Sequence, residues 1–215
     1  MKETFTNQRG KVIVENLVST IKGSVERLTE VDGKIGDGDH GINMNKGFTM
    51  TGTRLEGKDV SFSEAIETLG DVLVSEIGGS MGPIYGSMFL ELADGSSDHE
   101  EIDKETYLAM WSSALEAILS IGNAKKGDKT MLDTLIPAVE TLRNSVEAGR
   151  SFADCLKEMC SAAEEGMRST KDLVAKIGRS ARLGERSRGV LDAGAVSCNL
   201  IIDSMAASIT SLLSE

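Results

Sequence analysis

Aromatic side chains are scarce in this chain of 215 residues: one Trp, two Tyr and five Phe, 4% of the total. Proline is scarcer, with only two. Few aromatics and prolines, set against abundant Ala, Leu, Met and Glu, point to helices rather than strands. Cysteine is also sparse. Cys155, Cys160 and Cys198 are odd in number and lack metal-ligand spacing, so they read as buried free thiols rather than as a disulfide framework or a zinc site. Positive charge is in deficit: 23 Lys and Arg against 34 Asp and Glu give a formal net charge of -11. A nucleic-acid partner is excluded on that ground, because such binders need clustered cations to displace counterions. The balance instead favours partners with basic patches. No apolar run reads as long enough to span a bilayer, and the polar stretch 1–11 lacks the apolar core of a signal peptide. A cytoplasmic protein with no membrane association is expected.

What the chain does contain is helical periodicity. Val14, Leu17, Val18, Ile21, Val25 and Leu28 step by three or four and form one apolar stripe. Further helices are expected over 42–54, from Ser61 to about 77, over 83–93, from about Asp103, over 130–148, after Ser151, and over 193–213. Ser61-Phe62-Ser63-Glu64 has the form of a capping box, and Ser151-Phe152-Ala153-Asp154 is a second start signal. Pro137 falls inside the sixth helix, where a kink is expected. No segment shows clean two-residue alternation. The reading is an all-α single domain over 1–215, an eight-helix antiparallel up-and-down barrel or bundle.

Glycine is abundant, with 23 residues, and it gathers in particular connections. The unusual loops are 32–41, 78–82, 122–129 and 178–194. They are the first, third, fifth and seventh connections of the array. In an up-and-down arrangement alternate connections share an end. All four loops therefore fall at one end, and both termini at the other.

That end has the ingredients of a phosphate and metal site. Asp32, Asp37 and Asp39 crowd into ten residues with four glycines. Carboxylates this close repel one another unless a cation or strong donors sit among them, and an all-oxygen donor set suits Mg²⁺. Gly78-Gly79-Ser80-Met81-Gly82 and Asp128-Lys129-Thr130-Met131 run straight into helices, whose first N–H groups and dipoles attract anions. Lys129 adds a cation. Arg179, Arg182, Arg186 and Arg188 sit in a long loop expected to be flexible, and guanidinium forks suit phosphate oxygens. Other motifs fit less well. A calcium hand starting at Asp37 would place Phe48 where a carboxylate belongs, and a Walker loop over 122–130 is broken by Asp128. His40, inside the acidic loop, reads as a phosphate or charge contact, whereas His99 lies in an ordinary polar turn.

With these residues in view, the chain resembles the nucleotide-binding L subunit of dihydroxyacetone kinase. The resemblance rests on Asp32-Gly-Lys-Ile-Gly-Asp-Gly-Asp-His-Gly-Ile-Asn-Met-Asn, Gly78-Gly-Ser-Met-Gly-Pro, Gly127-Asp-Lys-Thr-Met and Leu183-Gly-Glu-Arg-Ser, in the family's order and over nearly the whole length. It implies an eight-helix antiparallel barrel with the nucleotide site at one end. It implies two Mg²⁺ ions on Asp32, Asp37 and Asp39, and ADP or ATP lined by His40, Gly41, Ile42 and Asn43. Ser80 and Met81 would meet the phosphates. Gly122, Thr130, Met131 and Arg179 would surround base and sugar, and Asp192 and Gly194 would close the site. Where some relatives have Asp-Pro-Gly, this chain has Asp192-Ala193-Gly194.

The resemblance also implies partners. A separate K subunit would hold the keto-sugar covalently on its own histidine. The phosphoryl-carrier M subunit of a phosphoenolpyruvate-dependent phosphotransferase system would recharge bound ADP. No catalytic side chain is expected on this chain. The rival readings are a kinase subunit for another triose, a tetrulose or an acyl group, and a non-catalytic helical module that binds lipid or a regulator.

Overall fold

The computed structural model describes residues 2–214. Nine α-helices are described: α1 (Lys11–Gly23), α2 (Val25–Ile35), α3 (Asp39–Leu55), α4 (Phe62–Glu76), α5 (Met81–Ser97), α6 (Lys104–Ile121), α7 (Leu132–Glu147), α8 (Phe152–Ser169) and α9 (Ala193–Ser214). The expected first stripe is α1 and α2 together. They form one rod interrupted at Ser24, whose backbone leaves the helical region (φ -107, ψ 4) while its hydroxyl donates to the Thr20 carbonyl at 2.9 Å. Counted this way there are eight rods. Each packs on the next, from α2 on α3 through α8 on α9, and α9 closes the ring on α1. This is the expected eight-helix antiparallel barrel.

Two short strands were not foreseen. β1 (Thr4–Thr6) pairs antiparallel with β2 (Glu101–Asp103), with Phe5 opposite Ile102. Three residues are too few to display a period of two. The pair ties the N-terminal segment to the start of α6 at the end away from the glycine-rich loops.

The scarce aromatics all lie in the core. Phe5, Phe48, Phe62, Phe89, Phe152, Tyr85, Tyr107 and Trp111 are each buried, and edge-on contacts such as Phe48 on Phe89 (ring centroids 6.0 Å apart) help fill the interior. Cys155 and Cys198 are buried free thiols as expected, whereas Cys160 is only half-buried. One expectation is corrected. α9 is long and apolar enough to cross a membrane by length and composition. It packs on α1, α7 and α8 with 67% of that stretch buried inside the protein. Its apolar faces meet neighbouring helices because it closes the ring, and the small residues Ala, Ser and Gly along it let those neighbours approach.

Candidate functional site

A cavity of about 500 Å³ opens where α2, α4, α6 and α8 end and α3, α5, α7 and α9 begin. All four unusual loops line it, as the parity of the connections requires. A larger cavity, about 1010 Å³, lies at the opposite end beside α4 and α5. Its wall carries carboxylates such as Glu64, Glu67, Glu91 and Asp94 but none of the glycine-rich loops. The loops singled out by the sequence therefore make the first the candidate site.

Asp32 sits in the last turn of α2, Asp37 in the turn that follows, and Asp39 at the first position of α3. Gly38 makes the reversal possible at φ 77, a left-handed conformation that side chains resist. Gly41 brings α3 hard against α2: a Cβ there would stand 2.5 Å from the Val25 carbonyl oxygen. Asp32 Oδ2 accepts the His40 N–H at 3.3 Å, and Asp37 Oδ1 accepts the Asp39 N–H at 3.4 Å. The Arg179 guanidinium pairs with Asp37 Oδ2. Among the described residues no three acidic, histidine or thiol groups already converge on one point. Carboxylates this close repel one another, and Arg179 already neutralises one of them. As a donor set of hard oxygens sharing one cavity, they nonetheless fit Mg²⁺ in kind.

Ser80 and Met81 line the cavity at the start of α5, where no side chain caps the helix. Its first N–H groups remain available to an anion. Thr130 and Met131 line it just before α7. Asp133 fastens that entry, accepting the Thr130 N–H at 2.8 Å and the Gly127 N–H at 2.5 Å. Lys129 holds a positive φ of 63, uncommon for any residue but glycine, and is 1% exposed. The sequence suggested a cation for the ligand. Instead its ammonium donates to the carbonyls of Thr170 and Val190 and so ties the α7 entry to the α9 entry. Burial pushes its pKa down, and Asp192, Asp133 and Asp172 oppose that.

At the α9 entry, Asp192 accepts the Ala195 N–H at 2.8 Å as a helix cap, and its own N–H donates to Thr170 Oγ1 at 3.1 Å. Burial raises the Asp192 carboxyl from 3.8 to about 6; the Ala195 N–H and Lys129 lower it, and Asp133 and Asp32 add to the rise. His40 has its pKa lowered by burial, with Asp32 opposing. Its Nε2 lies 2.8 Å from Ser197 Oγ, which lies 2.6 Å from the Tyr85 hydroxyl.

The cavity thus gathers Asp32, Asp37, Asp39, His40, Asn43, Ser80, Met81, Gly122, Thr130, Met131, Arg179, Asp192 and Gly194. Gly41 and Ile42 stand outside its lining: Gly41 is buried against α2, and the Ile42 side chain is 56% exposed. Three of the four loop arginines also stay out. Arg188 pairs with Glu185 and the Asp172 carbonyl, and Arg182 donates to the Arg179 carbonyl at 3.0 Å. The loop expected to be flexible is folded into 3₁₀ turns over Arg179–Ser187, pinned by buried Ser187, which accepts the Ala175 N–H at 2.9 Å. The sequence reading missed Tyr85 and Ser197. Tyr85 lies four residues after Met81, and Ser197 four after Ala193, so each shares a helix face with a residue of the cavity lining.

The description "DAK2 domain" matches residues 34–207 of the chain. Among curated proteins it is 37% identical to the PEP-dependent dihydroxyacetone kinase, ADP-binding subunit DhaL, of Escherichia coli, over 84% of this chain and 87% of that protein. It is 34% identical to the corresponding subunit of dihydroxyacetone kinase 2 of Listeria innocua, over 89% of each. The L-erythrulose kinase of Pectobacterium atrosepticum is 31% identical over 89% of this chain but only 33% of its own length. Among solved structures, the dihydroxyacetone kinase of C. freundii in complex with AMP-PNP and Mg²⁺ superposes with a TM-score of 0.70 at 21% identity, covering 97% of this chain and 35% of that one. That last likeness concerns the fold.

Proposed function

This chain belongs to the DAK2 domain family, and from that premise we infer that it is the nucleotide- and Mg²⁺-binding subunit of a dihydroxyacetone kinase. It would transfer a phosphoryl group from bound ATP to dihydroxyacetone held by a separate K subunit. The ADP left behind would be recharged in place by a phosphotransferase-system carrier, the M subunit. One observation carries this reading: four loops distant in sequence line one cavity that holds three carboxylates together with the start of α5, which no side chain caps.

In this reading Asp32, Asp37 and Asp39 hold two Mg²⁺ ions, whose chemistry is to neutralise phosphate charge. His40 and Asn43 meet the nucleotide by side chain. Gly41 and Ile42 contribute backbone N–H groups from the first turn of α3. Ser80 and Met81 meet the phosphates at the start of α5. Gly122, Thr130, Met131 and Arg179 surround base and sugar, with Ile118, Ile121 and Ile177 supplying apolar wall. Asp192 and Gly194 close the far side. Phosphoryl transfer asks for positioning and charge neutralisation rather than a nucleophile on this chain.

The acceptor must be brought by a partner, and the surface is suited to one. Among the described residues, the exposed large apolar side chains Ile42, Val74, Leu119, Ile121 and Ile177 stand at the cavity end and Val12 at the other. The loops 122–131 and 170–192 add Lys125, Lys126, Lys171, Lys176 and the arginines to an otherwise acidic chain. The erythrulose kinases among the relatives favour a tetrulose as the alternative acceptor. A lipid-binding barrel is disfavoured because Trp111, Tyr107, Phe48 and Phe89 are fully buried in the interior. A cytoplasmic setting agrees with this role.

The test is to denature the purified protein and quantify released nucleotide, with and without prior chelation. Near-stoichiometric ADP that chelation strips away supports a coenzyme recharged in place. Reversible binding of Mg-ATP by an empty protein supports an ATP-dependent kinase subunit. Absence of nucleotide binding in both cases overturns the reading.

A further inference from the structure

Behind the cavity runs a short chain of hydrogen bonds that none of the assigned contacts explains. His40 belongs to the first turn of α3, Tyr85 to the second turn of α5 and Ser197 to the second turn of α9. Three rods that start at the cavity end are therefore stitched together by three side chains. Ser197 is fully buried and Tyr85 is 2% exposed. Polar atoms buried to this degree find hydrogen-bond partners inside the protein. Tyr85 stands 2.6 Å from Ser197 Oγ and 3.1 Å from the Gly194 carbonyl. Ser197 reaches the carbonyls of Ala193 and Gly194, both at 3.1 Å, and His40 Nε2 at 2.8 Å.

The geometry allows three arrangements. In two of them His40 Nε2–H donates to Ser197 Oγ, and Ser197 donates either to the Ala193 carbonyl while accepting from Tyr85, or to Tyr85, which then donates to the Gly194 carbonyl. In the third, Tyr85 donates to Ser197, and Ser197 donates to Nε2. The third places the ring hydrogen on Nδ1, the nitrogen that Ser197 does not meet. A lone pair on Nδ1 would repel a phosphate oxygen, whereas N–H would bind it.

We propose that Ser197 and Tyr85 are positioning residues: together they orient the His40 ring and, once nucleotide is bound, stabilise the tautomer whose Nδ1–H donates to a phosphate oxygen. The proposal rests on the reading above that His40 meets the nucleotide. The Tyr85 hydroxyl acts through Ser197, although Tyr85 also lines part of the cavity wall. Its hydroxyl occupies one Ser197 lone pair, and when the Ser197 hydrogen turns from the Ala193 carbonyl to Nε2 the Tyr85 hydrogen bond remains. Protons move only by rotation of hydroxyls and exchange of the imidazole hydrogen, so no net charge is created.

Only two histidines are present, which makes the test direct. Long-range ¹H–¹⁵N spectra of the full-length protein with Mg-ADP resolve the ring nitrogens of His40 and His99, assigned with His40→Gln. His99, exposed near the other end, is the internal reference. The expected result is a protonated-type Nδ1 and a lone-pair-type Nε2 for His40. Tyr85→Phe and Ser197→Ala should move both His40 nitrogens toward the tautomer average, leave His99 unmoved, and weaken ADP binding roughly threefold to tenfold, the range for one net hydrogen bond. Ser197→Thr, which keeps the hydroxyl, should restore the His40 pattern. Unchanged His40 nitrogens in folded Tyr85→Phe would overturn the proposal, and so would weaker ADP binding without a change in the ring. If His40→Gln itself binds ADP as tightly as the unaltered protein, the contact between His40 and nucleotide is wrong. If only His40→Gln loses affinity, the contact stands and the positioning role falls.

Discussion

The two ends of this barrel begin their helices differently. At the end away from the cavity, α4, α6 and α8 start with side-chain caps. Ser61 forms a full capping box with Glu64, Asp103 accepts the Thr106 N–H, and Ser151 accepts the Asp154 N–H. At the cavity end, α3, α5 and α7 start at Gly38, Ser80 and Met131 with no cap of this kind. There the first N–H groups of α3 meet the Asp37 and Asp32 carboxylates and that of α7 meets Thr130 Oγ1, all three being residues of the cavity lining, and the start of α5 is left to a ligand. α1, entered through uncapped Gly10, breaks the pattern at the closed end, and α9, capped by Asp192, breaks it at the open one. Stability and binding should accordingly separate along the barrel axis.

The sharpest break of that comparison is Asp37→Ala. It should lower nucleotide retention by more than about a hundredfold, beyond what loss of an outer partner does, with little change in melting temperature; the readout is ADP released after gel filtration. Retention equal to the unaltered protein would remove Asp37 from the metal set. At the closed end, Asn7→Ala should do the opposite. The Asn7 amide donates to the Ser96 carbonyl at 2.9 Å and the His99 carbonyl at 2.8 Å, and its oxygen accepts the Ser63 N–H and the Ser63 hydroxyl, both at 3.1 Å. Losing these contacts at a residue 6% exposed should destabilise by about 3 kcal/mol in urea unfolding while ADP affinity holds.

Asp192 tests where the ends meet in pH. Its folded pKa of about 6 lies above its ordinary 3.8, so between those values the folded state binds the extra proton. This group therefore opposes stability above pH 6, and the opposition is relieved as pH falls toward 4. Asp192→Asn should lack that relief. The difference between the two stability profiles across pH 4 to 6 should be about 2 kcal/mol or less. Parallel profiles would show that the carboxyl is better solvated than its surroundings suggest. The smallest expected effect is Ser61→Ala, about 1 kcal/mol of stability with unaltered nucleotide binding.

The eight rods, the shared end of four loops and most of the cavity lining were legible in the sequence because each has a local signature. Apolar stripes mark the rods, and clustered glycines beside Asp, Ser or Thr mark the loops. What was not legible depends on contacts across the ring. The break at Ser24 interrupts no apolar periodicity. The inward turn of Lys129 is decided by the Thr170 and Val190 carbonyls, more than forty positions away in the chain. Ser197 looks like any small residue of an apolar helix until Tyr85 and His40 are brought beside it. The Arg179–Ser187 segment has the composition of an open loop, and its 3₁₀ turns follow from the buried hydroxyl of Ser187.

The burial of every aromatic side chain has a practical corollary in optical spectroscopy. Trp111 is the sole tryptophan, fully buried beside Tyr107, and lies seven residues, about 10 Å along α6, from the first cavity residue of that helix, Ile118. Its emission should be blue-shifted and should report loss of the packed interior with a single, uncontaminated signal. The same emission should stay dark to events at the mouth, so a titration followed by tryptophan fluorescence would record silence where a calorimeter records heat.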